Sequence, residues 1–281
     1  MLPQQSDIPV ITLPLFPLLD QHLLSLLQEL NPEEWNQPTI AKQWTVKDIA
    51  AHLLDGNLRG LSVSRDGYLG VTPGAIHTYQ ELVAFLNSLN HQWTDAAKRL
   101  SPPLLIGLLE WSGKQYYEHL CTLKPFDEAV FGVAWAGQEQ SENWFHIARE
   151  YTEKFIHQQQ IRDALGKAPL FSEDLFLPFI RTFMYALPVV YRSSTAPEGT
   201  IIALQIGSGA QNEHRIIRMN NEWILTAYSD APAISTIQMS PDTAWKVFSK
   251  GITPATALEQ VAIYGNADLG RTALNMIAVM A

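Results

Sequence analysis

Cysteine is nearly absent from this chain. Cys121 is the single one in 281 residues, so no intrachain disulfide can staple the fold. A lone thiol fits a reducing compartment, and Cys121 is expected to be a plain buried residue. Positive charge is also scarce. The formal net charge is −9 and no run of Lys and Arg forms a local exception, which removes general attraction for phosphate backbones or anionic lipid; no nucleic-acid partner is expected. Long apolar runs are missing too. The stretch from Ile8 to Leu30 is broken by Asp20, Gln21 and three prolines, follows no basic residue and lacks a small-residue cleavage site, so it is expected to be neither a signal peptide nor a membrane span. No other segment approaches about 20 uninterrupted apolar residues, and a soluble, cytoplasmic protein is expected. Nucleotide-loop and serine-nucleophile signatures are lacking as well. Gly207-Ser208-Gly209 and the Gly265 to Gly270 segment miss the dinucleotide fingerprint, and no Gly-x-Ser-x-Gly elbow exists.

What the chain does have is enough apolar residue, 47%, for one large core or two smaller ones, and its length favours two domains of roughly 100 to 150 residues. Leucines at 15, 18, 19, 23, 26, 27 and 30 recur at helical period and predict a first helix ended by Asn31-Pro32. Thr45-Val-Lys-Asp48 and Thr78-Tyr-Gln-Glu81 are capping boxes that predict two more, running to about Arg65 and Leu100. A helix is predicted from Leu104 to Leu123, another from a cap at Ser141 to Gly166, and a sixth from Ser172 to about Tyr191. Beyond the polar segment 193–199 come short β-branched runs at 200–206, 215–219, 222–227 and 234–239, with Asn220-Asn221 as a two-residue hairpin turn. Ser240-Pro241 opens a helix, 261–264 is a last strand, and a terminal helix starts near Ala267. The expected organisation is a helical domain over residues 1–192 and a small α+β domain over 193–281.

Of the eight histidines, His22, His77, His91, His119 and His214 have no acid or second histidine at ligand spacing, and solvated surface is expected for all five. The informative group is on the fifth helix, where His146, Glu150, Glu153 and His157 step by four, three and four along one stripe. Glu153 and His157, one turn apart, can bind one ion from a rigid support. Against this, Trp144, Ala148, Tyr151 and Phe155 form the apolar stripe on the other side, so periodicity alone puts Glu153 and His157 in water. His52 is the candidate third ligand. It lies at the flank of the stripe made by Val46, Ile49, Ala50 and Leu53, where a half-buried, hydrogen-bonded histidine is an equal reading. Two neutral imidazoles and one carboxylate would suit a divalent metal ion, zinc first, and leave at least one position open.

The stretch from Trp44-Thr45-Val46 to His52-Leu53, with Glu153-Lys-Phe-Ile-His157 followed by Ala164-Leu165-Gly166, resembles the DinB-like metalloenzyme superfamily, and within it the mycothiol-dependent maleylpyruvate isomerase family. The resemblance implies a multidomain α and α+β fold: an N-terminal DinB-like four-helix bundle with a His, Glu, His metal site, then a small sterol-carrier-like α+β domain. It implies that the fifth helix is covered on both sides. It also implies an enzyme in which a low-molecular-weight thiol, such as mycothiol or bacillithiol, takes the open metal position and attacks a small electrophilic substrate held in a cleft. Addition, rotation about a cis double bond and elimination would give an isomerase, and retention of the adduct an S-transferase. A non-catalytic metal-binding or ligand-binding regulatory protein of the same fold is the alternative. Arg218 and Arg271 are candidates for holding a substrate carboxylate on composition alone, and the oligomeric state is open.

Overall fold

The computed structural model describes residues 9–226 and 231–280. Five long helices come first: α1 (Phe16–Gln28), α2 (Val46–Gly60), α3 (Tyr79–Ala97), α4 (Pro102–Leu120) and α5 (Asn143–Ala164). The shorter α6 (Glu173–Phe183) and α7 (Leu187–Val190) follow, joined by a 3-10 turn at Met184–Ala186. Strands β1 (Ile201–Ile206), β2 (Glu213–Met219), β3 (Glu222–Thr226) and β4 (Ser235–Met239) then come in succession, followed by α8 (Pro241–Phe248), α9 (Pro254–Leu258), β5 (Ala262–Gly265) and, last, α10 (Ala267–Ala273). Two compact units result. One contains Thr12–Val130 and Glu153–Leu170, the other Phe131–Thr152 and Phe171–Val279, so the second half of α5 belongs to the first unit and its first half to the second.

In the helical unit the local signals act as the sequence predicts. Thr45 accepts from the Asp48 N–H at 3.3 Å while the Asp48 carboxylate accepts from the Thr45 N–H at 3.0 Å, and Thr78 with Glu81 repeats the arrangement for α3. Each such cap is worth about 1 kcal/mol. The predicted second helix does reach Arg65, but its last five residues, Leu61–Arg65, widen into a π turn. The apolar faces of α1, α2 and α4 meet the second half of α5 in one core that includes Leu23, Leu27, Val46, Ile49, Leu105 and Ile161. These four helices form the bundle, and α3 packs against α2 as a fifth. A Cβ at Gly113 of α4 would sit 2.9 Å from Asp20 Oδ2 of α1, so the Asp20 carboxylate, which pairs with Lys154, would have to shift.

The other unit is built on a mixed five-stranded sheet of order β3-β2-β1-β4-β5, parallel between β1 and β4 and antiparallel elsewhere. The β2–β3 hairpin turns at Asn220 and Asn221, both at positive φ (53° and 64°), and the Glu198 carboxylate accepts from both of their N–H groups. Gly265 at φ 82° is required at the end of β5, because a Cβ there would lie 2.2 Å from the Ile234 carbonyl oxygen. Central β1 is buried at five of its six residues, and α7 covers β3, with Tyr191 5.3 Å from Trp223 and its hydroxyl donating to the Leu269 carbonyl. No described helix is long and apolar enough to cross a membrane.

Two expectations need correction at this level. Ser141 does not cap α5: its hydroxyl accepts from the Val133 N–H and donates to Gln138, and the helix opens two residues later at Asn143. Residue 227, predicted as the end of β3, lies outside the described residues.

Candidate metal centre

The rigid supports are α2 and the second half of α5, both in the helical unit. Residues 37–46 lead into α2 through a tight loop in which the Thr39 hydroxyl and N–H both donate to the Trp44 carbonyl, and Pro38 bridges Thr45. That loop sets the Trp44 indole, and the capping box fixes where α2 begins and so where His52 projects two turns later. Helix α5 is stitched to α1 by a Lys154–Asp20 ion pair at 2.7 Å and by the Gln158 amide donating to the Leu19 carbonyl at 2.9 Å. Gln159 holds the following loop by accepting from the Leu170 N–H.

These supports bring His52, Glu153 and His157 together, with one potential ligand atom from each lying within 4.8 Å of the others. It is the one cluster of three such residues among those described. His157 Nε2 is 3.4 Å from Glu153 Oε2, and the two imidazoles meet edge to face with centroids 4.7 Å apart. Trp44 packs against His52 at 4.6 Å and reaches His157 at 5.8 Å. Burial first, then the neighbouring His157 and Arg59, pushes the His52 pKa well below the usual histidine value, so His52 is a neutral donor. Its Nδ1 is buried and has no hydrogen-bond partner among the described residues. Such an orphan atom beside a carboxylate and a second imidazole fits a cation.

The neighbourhood of α5 departs from simple periodicity. Residues 154–161 are buried without exception and the Glu153 side chain is 28% exposed, so His157 does not face open water as an amphipathic reading requires and Glu153 does so only in part. The four-residue stripe does not act as one group. His146 is buried, its Nδ1 near the Arg149 guanidinium, and Arg149 pairs with Glu150.

Other candidates fall elsewhere. Cys121 is exposed at the C-terminal cap of α4, contrary to the expected burial. His214 is 3% exposed, not solvated: it shares a face of β2 with buried Ile216, and burial lowers its pKa to about 3. His119 is half-buried and 2.8 Å from the Ser64 hydroxyl. Arg218 lies over the Trp223 ring, and Arg271 pairs with Asp268 at 3.0 Å. Sequence reasoning missed Gln160, whose amide oxygen is 2.9 Å from His157 Nδ1, and the role of Trp44. The available signal for the first was the run Gln158-Gln159-Gln160, three amides in mid-helix one turn from a ligand candidate.

Residues 16–162, just over half of the chain, match the family model described as the mycothiol maleylpyruvate isomerase N-terminal domain. The chain belongs to this family. The fold of the whole chain is also similar to two crystal structures of mycothiol-dependent maleylpyruvate isomerase, one of them a mutant: each gives a TM-score of 0.54 at 14% identity over 93% of this chain and 95% of that one. At that identity the likeness speaks for the multidomain α and α+β fold. No curated protein matches the chain. Within the isomerase family fold, the cluster of His52, Glu153 and His157 is the feature with chemical content.

Proposed function

We propose that His52, Glu153 and His157 bind one divalent metal ion, zinc first, and that the loaded protein is an enzyme that uses a low-molecular-weight thiol as its nucleophile. The observation that carries this reading is the convergence of three ligand atoms within 4.8 Å, one of them on the imidazole of His52, whose buried Nδ1 has no hydrogen-bond partner among the described residues. Three protein ligands leave a position for an exogenous donor. When bound, the ion would hold a thiol sulfur deprotonated at neutral pH, where a free thiol of pKa about 8.5 is mostly protonated. The chain's own groups do the rest. His52 and His157 give nitrogen lone pairs, Glu153 gives one negative charge that moderates the Lewis acidity, and Trp44 covers the two imidazoles on one side. Cys121, exposed at the end of α4, is no competitor, since it is not part of the cluster. Mycothiol and bacillithiol are the thiols of choice, a small electrophile such as maleylpyruvate is the substrate class, and the reaction is a cis–trans isomerisation or an S-transfer. Residues 193–281 would be the sterol-carrier-like second domain.

Elemental analysis after mild dialysis tests the first half of the proposal: about one equivalent of metal is expected in the native protein and none in the His52→Ala, His157→Ala double variant. Turnover of maleylpyruvate or a general electrophile should then require both metal and thiol. Full metal occupancy in the double variant would falsify the ligand assignment.

A further inference from the structure

We infer that Gln160 is a positioning residue that sets which nitrogen of His157 carries the proton, and so aims the Nε2 lone pair at the cluster. The inference deepens the metal reading above and rests on it for its consequence, though not for its geometry. Gln160 lies three residues beyond His157 on α5, on the same side of the helix, and is itself 6% exposed. Its amide oxygen is 2.9 Å from His157 Nδ1, a full hydrogen-bond length. With the amide oxygen turned to the ring, as it is here, the amide accepts, which makes Nδ1 the donor and leaves Nε2 with its lone pair.

The competing arrangement would place the proton on Nε2, facing Glu153 Oε2. That separation is 3.4 Å, at the long limit for such a bond, and the shorter contact wins. With Nδ1 tied to Gln160 and the ring also next to the His52 and Trp44 rings, both the tautomer and the orientation of His157 are set before any ion arrives. His52 has no corresponding hydrogen bond at Nδ1 among the described residues and packs against Trp44. Control of the donor set therefore falls on the α5 side. Gln160 does this without adding a second carboxylate to a cluster that already holds Glu153, so the site keeps one formal negative charge.

The test uses the full chain carrying 15N-labelled histidine, with metal removed, at a pH where imidazoles are neutral. Two-bond 1H–15N correlations then report the tautomer directly. In the native protein His157 should be the Nδ1–H form. In Gln160→Leu it should redistribute toward Nε2–H, and in Gln160→Glu, which keeps an acceptor, the Nδ1–H form should return. In chelator competition Gln160→Leu should weaken metal binding by about 10- to 100-fold, with Gln160→Glu recovering most of the loss. A native Nε2–H tautomer, or an unchanged tautomer in Gln160→Leu, overturns the inference. Tautomers that behave as expected in a protein that binds no metal leave Gln160 as the positioning residue and overturn the metal reading instead.

Discussion

Burial leaves His52 of the helical unit and His214 of the sheet unit as neutral imidazoles, each with a ring nitrogen that has no hydrogen-bond partner among the described residues, yet the two sites differ in what surrounds them. Around His52 a carboxylate and a second imidazole converge from α5 within 4.8 Å. His214 instead sits opposite Leu204 in the sheet, on the face that carries Ile216, with the Arg181 charge acting on it besides burial. Burial makes a histidine neutral in both cases. Convergence of donors from two rigid supports is what turns a neutral histidine into a candidate ligand.

The largest expected effect separates the two directly. His157→Ala should weaken metal binding by more than about 100-fold, beyond the range for loss of an outer hydrogen-bond partner, whereas His214→Leu should leave stoichiometry and affinity unchanged. Metal titration against a chromophoric chelator measures both. Equal losses in the two variants would erase the distinction.

A second difference concerns acid. His214 has a folded pKa of about 3 against about 6.5 when unfolded, so between those values the unfolded chain binds more protons than the native one. Stability from this residue is fully present above about pH 6.5 and is lost as pH falls toward 3, by on the order of 4 to 5 kcal/mol at the limit. Denaturant midpoints for His214→Leu should therefore fall less steeply than the native ones from pH 6.5 downward. Parallel acid limbs in the two proteins would mean that His214 is not held neutral in the folded state.

The smallest expected effect is on integrity after proteolysis. Composition favours first cleavage within 193–199, but α7 packs on β3 and the Tyr191 hydroxyl donates to the Leu269 carbonyl across that segment. A nicked protein should therefore stay associated on gel filtration and separate only in denaturant. Spontaneous release of a 1–192 fragment would make the polar segment a true boundary between independently stable halves.

Much of the fold was legible because its signals are local. Thr45, Thr78 and Ser240 announce helix starts through cap hydrogen bonds that need no tertiary context, and Asn220-Asn221 announces a turn through its tolerance of positive φ. Ser141 misled because a tertiary partner, the Val133 N–H, claims the hydroxyl that would otherwise cap α5. The burial of His214 was readable in principle. Starting β2 at Arg215 instead of Glu213 hid the two-residue phase that puts His214 and Ile216 on one face. At the candidate site, the spacing of Glu153 and His157 was visible, but their surroundings were not. A helix buried along 154–161 with glutamines at 158–160 looks solvent-facing from periodicity, since the sequence does not say that each amide has a structural partner.

The most direct measurement is the electronic spectrum of the cobalt-substituted protein during titration with thiols. Three protein ligands with an open position predict a new sulfur-to-cobalt band in the near ultraviolet when mycothiol or bacillithiol is added, weakened in Glu153→Gln and intact in Cys121→Ser. A spectrum unchanged by every thiol in the panel, with cobalt still bound, would contradict the thiol chemistry and favour a metal-binding protein without that reaction.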